Sequence, residues 1–155
     1  MQTQNLAALA GFVVLCLAVG GVAGFATMGG VTGWYQTLTK PSFNPPNWLF
    51  GPVWTVLYVL MAVAAWLVWR KVGLGAPAMI FFFLQLLLNF AWSFIFFRAH
   101  ATGWALADIT VLWITIVATM IAFVQIDTAA AWLLAPYLAW VSFASLLNAS
   151  IWRLN

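Results

Sequence analysis

Charged side chains are nearly absent: 155 residues include 5 Lys and Arg and 2 Asp and Glu. A soluble domain carries roughly 25% charged residues because its surface must stay wet. This chain, 66% hydrophobic, cannot cover itself in water and reads as an integral membrane protein. Its formal charge of +3 is scattered over loops without a basic stripe, which argues against a nucleic-acid partner. A single cysteine, Cys16, lies in an apolar run, so one chain can build neither a disulfide framework nor a cysteine metal cluster. A single histidine, His100, falls in a loop and cannot supply both axial ligands of a bis-histidine haem. Catalytic triads, HExxH, P-loop and GxGxxG patterns are missing too, leaving no metal site, required cofactor or flavin motif in view.

Long apolar runs and aromatics are what the chain does have. Five stretches are long enough to cross a bilayer core at about 1.5 Å per residue: 6–28, 48–69, 78–97, 104–124 and 129–152. Backbone groups in hydrocarbon need partners within the chain, and the runs do not alternate as barrel strands do. The expected fold is therefore all-α, a bundle of five transmembrane helices forming one domain over residues 1–155. The first stretch lacks a basic n-region and is too long for a signal-peptide core, so it reads as a retained helix. Short connections at 70–77, 98–103 and 125–128 make neighbouring helices antiparallel. The connection at about 29–47 is long, aromatic and stiffened by Pro41, Pro45 and Pro46, which suggests a lid. Arg70 and Lys71 lie on the side of the N-terminus and Lys40, Arg98 and Arg153 on the other, leaning the C-terminus towards the cytoplasm.

Eleven Trp, 13 Phe and 3 Tyr exceed the needs of two interfacial belts, so some should line an interior. On the third stretch Gln85, Asn89, Trp92, Ser93 and Phe96 share one face. The amides Gln85 and Asn89 either hold helices together, the commoner use, or orient a ligand in an aromatic pocket. Tyr137, Trp140, Ala144 and Asn148 share a face of the fifth stretch, just after Pro136, which should loosen the helix. Trp54, Tyr58, Met61 and Ala65 do so on the second. Three such stripes in one small bundle suggest a flat, apolar ligand.

Asp108, one turn inside the fourth stretch, reads as an interfacial acid paired with Arg98 or a helix end; a proton relay would need deeper partners, and none is present. Asp127 reads as a solvated loop residue. Gly20 and Gly24 form a GxxxG, predicting a helix–helix contact on that face.

In combination these residues carry a resemblance. Trp34-Tyr35, Lys40-Pro41, Asn44-Pro45-Pro46, Trp48, Gly51-Pro52-Val53-Trp54-Thr55 and Leu57-Tyr58 come first in order. Gln85 through Ser93, Gly103-Trp104-Ala105-Leu106-Ala107-Asp108 and Pro136-Tyr137-Leu138-Ala139-Trp140 follow. The chain resembles the TspO/MBR family of tryptophan-rich sensory and translocator proteins, which includes the peripheral benzodiazepine receptor, and looks like a bacterial member. The resemblance implies a five-helix bundle, commonly a homodimer, with a pocket beneath the first connection. It also implies binding of porphyrins such as protoporphyrin IX, and for some members of cholesterol or synthetic drugs. Carried over by motif, the pocket residues are Tyr35, Trp54, Asn89, Trp92, Trp140 and Ala144. One departure bears on sterols: Ala149 stands where sterol-binding members carry Tyr before the basic Arg153.

The leading expectation is a membrane receptor or scavenger of tetrapyrroles, protoporphyrin IX first and haem second, with a role in porphyrin handling or stress signalling. A light-dependent porphyrin-degrading enzyme is the first alternative, with Trp54 and Trp140 as electron donors to the excited ligand and oxygen. Transport of porphyrins or sterols is the second.

Overall fold

The computed structural model describes residues 2–155, with side chains from Asn5 onward; Met1 lies outside the described residues. Helix α1 spans Gln2–Val31. A single turn, α2 (Trp34–Thr37), opens the first connection, and a 3-10 turn at Asn47–Leu49 closes it. Helices α3 (Phe50–Val72), α4 (Pro77–Phe97) and α5 (Thr102–Val124) follow. The fifth span is split into α6 (Thr128–Leu133) and α7 (Ala135–Leu154). Five helical segments are long and apolar enough to cross a membrane, which makes the chain a multi-pass membrane protein.

Two departures from the expected helix ends have local causes. α1 continues through Gly29 and Gly30, where helix propensity is low. A Cβ on Gly30 would sit 2.8 Å from the Phe97 ring, so the glycine lets α1 and α4 close together there. The fifth span breaks at Leu134, two residues before Pro136. Pro136 lacks the amide proton that would bond back to the preceding turn, and its ring crowds that turn's carbonyl. Leu138 donates to the Leu134 carbonyl at 2.9 Å and restarts the helix.

Around the bundle, α1 packs on α3 and α4, α4 on α5, and α5 on both α6 and α7, while α6 closes the ring against α3. α7 barely touches α3. The break thus lets the first turns of the fifth span hold α3 while the remainder leans towards α5. A wedge opens between α3 and α7 on the side of the lid.

The closed end of that wedge is fastened by charge. Lys71 Nζ lies 2.8 Å from Asp127 Oδ2 and also donates to the Ile126 carbonyl at 3.1 Å. Asp127 Oδ1 accepts from the Ala130 amide at 3.1 Å, capping α6. Asp127 is therefore a paired cap and not the solvated loop residue its position suggested. Asp108 departs from expectation as well. Among the described residues the ion pair is Lys71–Asp127, and the buried Oδ2 of Asp108 has no partner, Arg98 included.

The GxxxG face divides in two. A Cβ on Gly20 would meet the Tyr58 ring at 2.5 Å, so Gly20 marks a close contact of α1 with α3. Gly24 has nothing within 4 Å and borders an open groove, so the helix contact expected there is not made within the chain.

Two predictions follow from these contacts. Gly20→Leu overpacks against Tyr58 and should cost about 1–3 kcal/mol, whereas Gly24→Leu should leave the melting temperature in detergent unchanged. For Asp127, the hydrogen bond from Lys71, then that from Ala130, hold the carboxyl below its ordinary 3.8. A depressed carboxyl stabilises fully above its unfolded value, and the contribution disappears as pH falls through the folded one. Lys71 is half-exposed, so Asp127→Asn, which keeps a capping oxygen, should cost less than about 1 kcal/mol. Asp127→Ala loses the cap as well and should cost about 1–2 kcal/mol. Melting curves at pH 7 and pH 3 would show both differences, with the gap between wild type and Asp127→Asn closing at the lower pH.

Candidate functional site

Three spans are tied together at mid-bundle by one amide. Tyr58 Oη on α3 donates to Asn89 Oδ1 on α4 at 2.6 Å, and Asn89 Nδ2 donates to Tyr137 Oη on α7 at 2.9 Å. All three side chains are buried. Asn89 serves here as the bond between helices, the first of the two uses its position allowed. Gln85 lies one turn away; its Nε2 reaches Met61 Sδ at 3.8 Å, and its buried Oε1 has no partner. Neither amide borders the chamber or the two clefts described below.

A second tie lies nearer the lid. Trp92 Nε1 donates to Asn148 Oδ1 at 3.0 Å, and Asn148 Nδ2 donates to the Thr102 carbonyl at 2.8 Å. This fixes the Trp92 indole edge-on to α7 and leaves its face stacked on Phe96, with centroids 5.3 Å apart.

Between the ties and the lid is a small aromatic chamber. Tyr35, Trp92, Phe96, Trp140 and Ala144, all expected from the sequence, border it together with Phe50 and Phe143. Its free volume is about 20 Å³, enough for one water and far below that of a macrocycle. Any flat ligand must push its walls apart. Phe50 and Phe143 escaped the sequence reading although each extends a recognised stripe: Phe50 precedes Trp54 by four residues, and Phe143 follows Trp140 by three. Phe50 meets Trp140 edge-on at 6.1 Å.

Trp140 is held in the wall by packing alone. Its Nε1 is buried without a hydrogen-bond partner, and its ring meets Trp54 at 6.5 Å, nearly perpendicular. Trp54, Tyr58 and Ser93 turn away from the chamber towards the groove of about 520 Å³ that runs along the glycine face of α1. The eleven expected site residues thus fall into three neighbouring places: the chamber, the groove and the buried ties, the last including Tyr137. Among the described residues no three His, Cys, Asp or Glu side chains converge as a metal site would require.

The first connection packs beside the chamber, where Tyr35 forms part of the lining. Tyr35 is buried against Phe96 and Phe97, and its hydroxyl donates to Asn44 Oδ1 at 2.6 Å. That burial pushes the Tyr35 phenol up to about 12. Lys40 Nζ donates to the Tyr35 and Leu38 carbonyls at 2.8 and 2.9 Å, so its charge is spent inside the loop. Trp34 stacks on His100 at 4.2 Å, and the Asn155 amide bonds both to the Thr39 amide and to its carbonyl.

Asn89→Leu would leave two tyrosine hydroxyls unpaired in an apolar interior. It should cost about 1–3 kcal/mol, whereas Tyr58→Phe removes a single bond and should cost about 1 kcal/mol or less. Thermal unfolding of both variants in the same detergent checks the ratio.

Comparison with known proteins agrees with this architecture. The model of the TspO/MBR family matches residues 12–153. The tryptophan-rich protein TspO of Chlorobaculum tepidum is 45% identical over 160 residues, covering 99% of each chain. The human translocator protein is 44% identical over 126 residues, 79% of this chain and 75% of its own. The tryptophan-rich sensory protein of Cereibacter sphaeroides is likewise 44% identical, over 122 residues covering 79% of this chain and 77% of its own. A family match over nearly the whole chain, on a bundle of five membrane-spanning helices with tryptophans gathered beneath a proline-stiffened lid, means that this protein belongs to the TspO/MBR family.

Proposed function

We propose that the protein is a membrane receptor for tetrapyrroles, protoporphyrin IX first among them, which it holds in the aromatic chamber for porphyrin handling or stress signalling. The observation that carries this reading is the position of Trp140. Its indole borders the chamber, stands perpendicular to Trp54 and is held by no hydrogen bond. A ring so placed can turn its face to an arriving macrocycle and lose only packing. Tyr35, Phe50, Trp92 and Phe96 supply further π-surface, and Ala144 leaves room on the same wall. No cofactor is required in this role; the porphyrin is the ligand. We also propose that the protein works as a homodimer in a bacterial membrane with its C-terminus in the cytoplasm.

The pair Trp54 and Trp140 favours one second reading, light-driven oxidation of the bound porphyrin. The excited porphyrin would itself give up electrons to dioxygen, which is reduced as the ligand is oxidised, with the two indoles in edge contact flanking the ring. Transport ranks below both, since the sole acid within a span, Asp108, is shallow.

Titration of the detergent-solubilised protein with protoporphyrin IX should quench tryptophan fluorescence saturably at micromolar ligand; absence of saturation overturns the proposal. Trp140→Ala should weaken binding by more than about tenfold, the factor that about 1.4 kcal/mol represents. Trp140→Phe keeps a flat ring and should retain most of the affinity while slowing any light-driven loss of porphyrin. A folded Trp140→Ala protein with normal affinity removes this residue from the site.

A further inference from the structure

We propose that the fissure between α3 and α7 is the docking surface through which the ligand enters from the bilayer, with Trp140 as its gate; this rests on the binding reading above. The fissure is an open slot of about 620 Å³, within the size range of small-molecule sites. Pro52, Val53, Val56 and Leu57 form one wall, and Pro136, Ala139, Trp140 and Phe143 the other. None of these side chains is charged, and the indole of Trp140 is the single one able to form a hydrogen bond. Such a surface faces hydrocarbon and admits what hydrocarbon dissolves, so a porphyrin would enter ring first with its carboxylates trailing at the headgroups.

Two residues, Trp140 and Phe143, border both this fissure and the chamber. They are the partition between membrane and interior. Swinging Trp140 aside breaks no hydrogen bond, since Nε1 has none to lose. The backbone allows the accompanying movement: α7 is separated from α6 by the break at Leu134 and barely touches α3, while Lys71 and Asp127 hold the far end closed. The route under the lid is harder. It requires breaking both bonds between Asn155 and Thr39, unstacking Trp34 from His100 and disturbing Tyr35–Asn44.

The test is stopped-flow quenching by protoporphyrin IX of the full chain in lipid nanodiscs. Ala139 and Val56 are exposed on opposite walls of the fissure and do not border the chamber. Ala139→Phe and Val56→Phe, made separately so that one misfolded variant does not decide the matter, should each slow association and dissociation by about tenfold or more. Equilibrium affinity should stay within about threefold of wild type, because entry and exit share the slot. Asn155→Ala loosens the lid and should leave both rates unchanged. Unaltered rates in both fissure variants, or faster exchange in Asn155→Ala, would overturn the lateral route while leaving binding intact. Absence of saturable quenching in the wild type would instead overturn the binding reading, and the route with it.

Discussion

Asn89 is the constraint on which the interior depends. In hydrocarbon a tyrosine hydroxyl finds no water, and one asparagine answers two of them, from α3 and from α7. The backbones of those helices stay apart and meet through aromatic rings, so the amide on α4 helps set the distance between them at mid-bundle. Everything towards the lid inherits that spacing. Trp54 and Trp140 stand four residues before Tyr58 and three after Tyr137, and their perpendicular meeting follows from where the two tyrosines are held.

Against that fixed waist, the broken fifth span supplies the asymmetry. A continuous helix packed on α3 along its whole length would leave no wedge and bury Trp140 as ordinary core. The break at Leu134 instead uses the first turns to fasten the bundle, with Asp127 as both cap and ion-pair partner, and frees the remainder to diverge. Aromatic rings then fill the divergence loosely. They bring area without directional bonds, so the same residues can stabilise the closed protein and yield to a flat ligand.

Much of this could be read from the residues. Apolar runs marked the five spans, and three prolines between Pro41 and Pro46 marked the lid, because each acts through local covalent geometry or through the bilayer as solvent. What stayed hidden depends on distant partners. That Gly30 continues α1 is visible only once Phe97 lies against it. Pro136 announced a weakened helix but could not say that the chain would stop at Leu134. The resemblance names Trp92 as a pocket residue, but no spacing reveals that its indole N–H is committed to Asn148, a pairing between α4 and α7. The stripes named faces that the fold gathers in one region, while the division among chamber, groove and tie was a matter of packing. Asp108, expected to pair with Arg98 or a helix end, instead keeps a buried Oδ2 without a partner, which its neighbours in sequence do not foretell.

The first helix has a consequence for the surrounding membrane. Its 30 residues span about 45 Å, well beyond a hydrocarbon core of about 30 Å. A helix that long meets the mismatch by tilting, by kinking or by carrying its ends into the headgroups, and a thinner bilayer raises the demand. Most of α1 faces lipid, yet at Gly20 its bare backbone rests on the ring of Tyr58, whose hydroxyl holds Asn89. Bilayer thickness therefore bears mechanically on the centre of the protein, through a contact with no side chain on one side to cushion it.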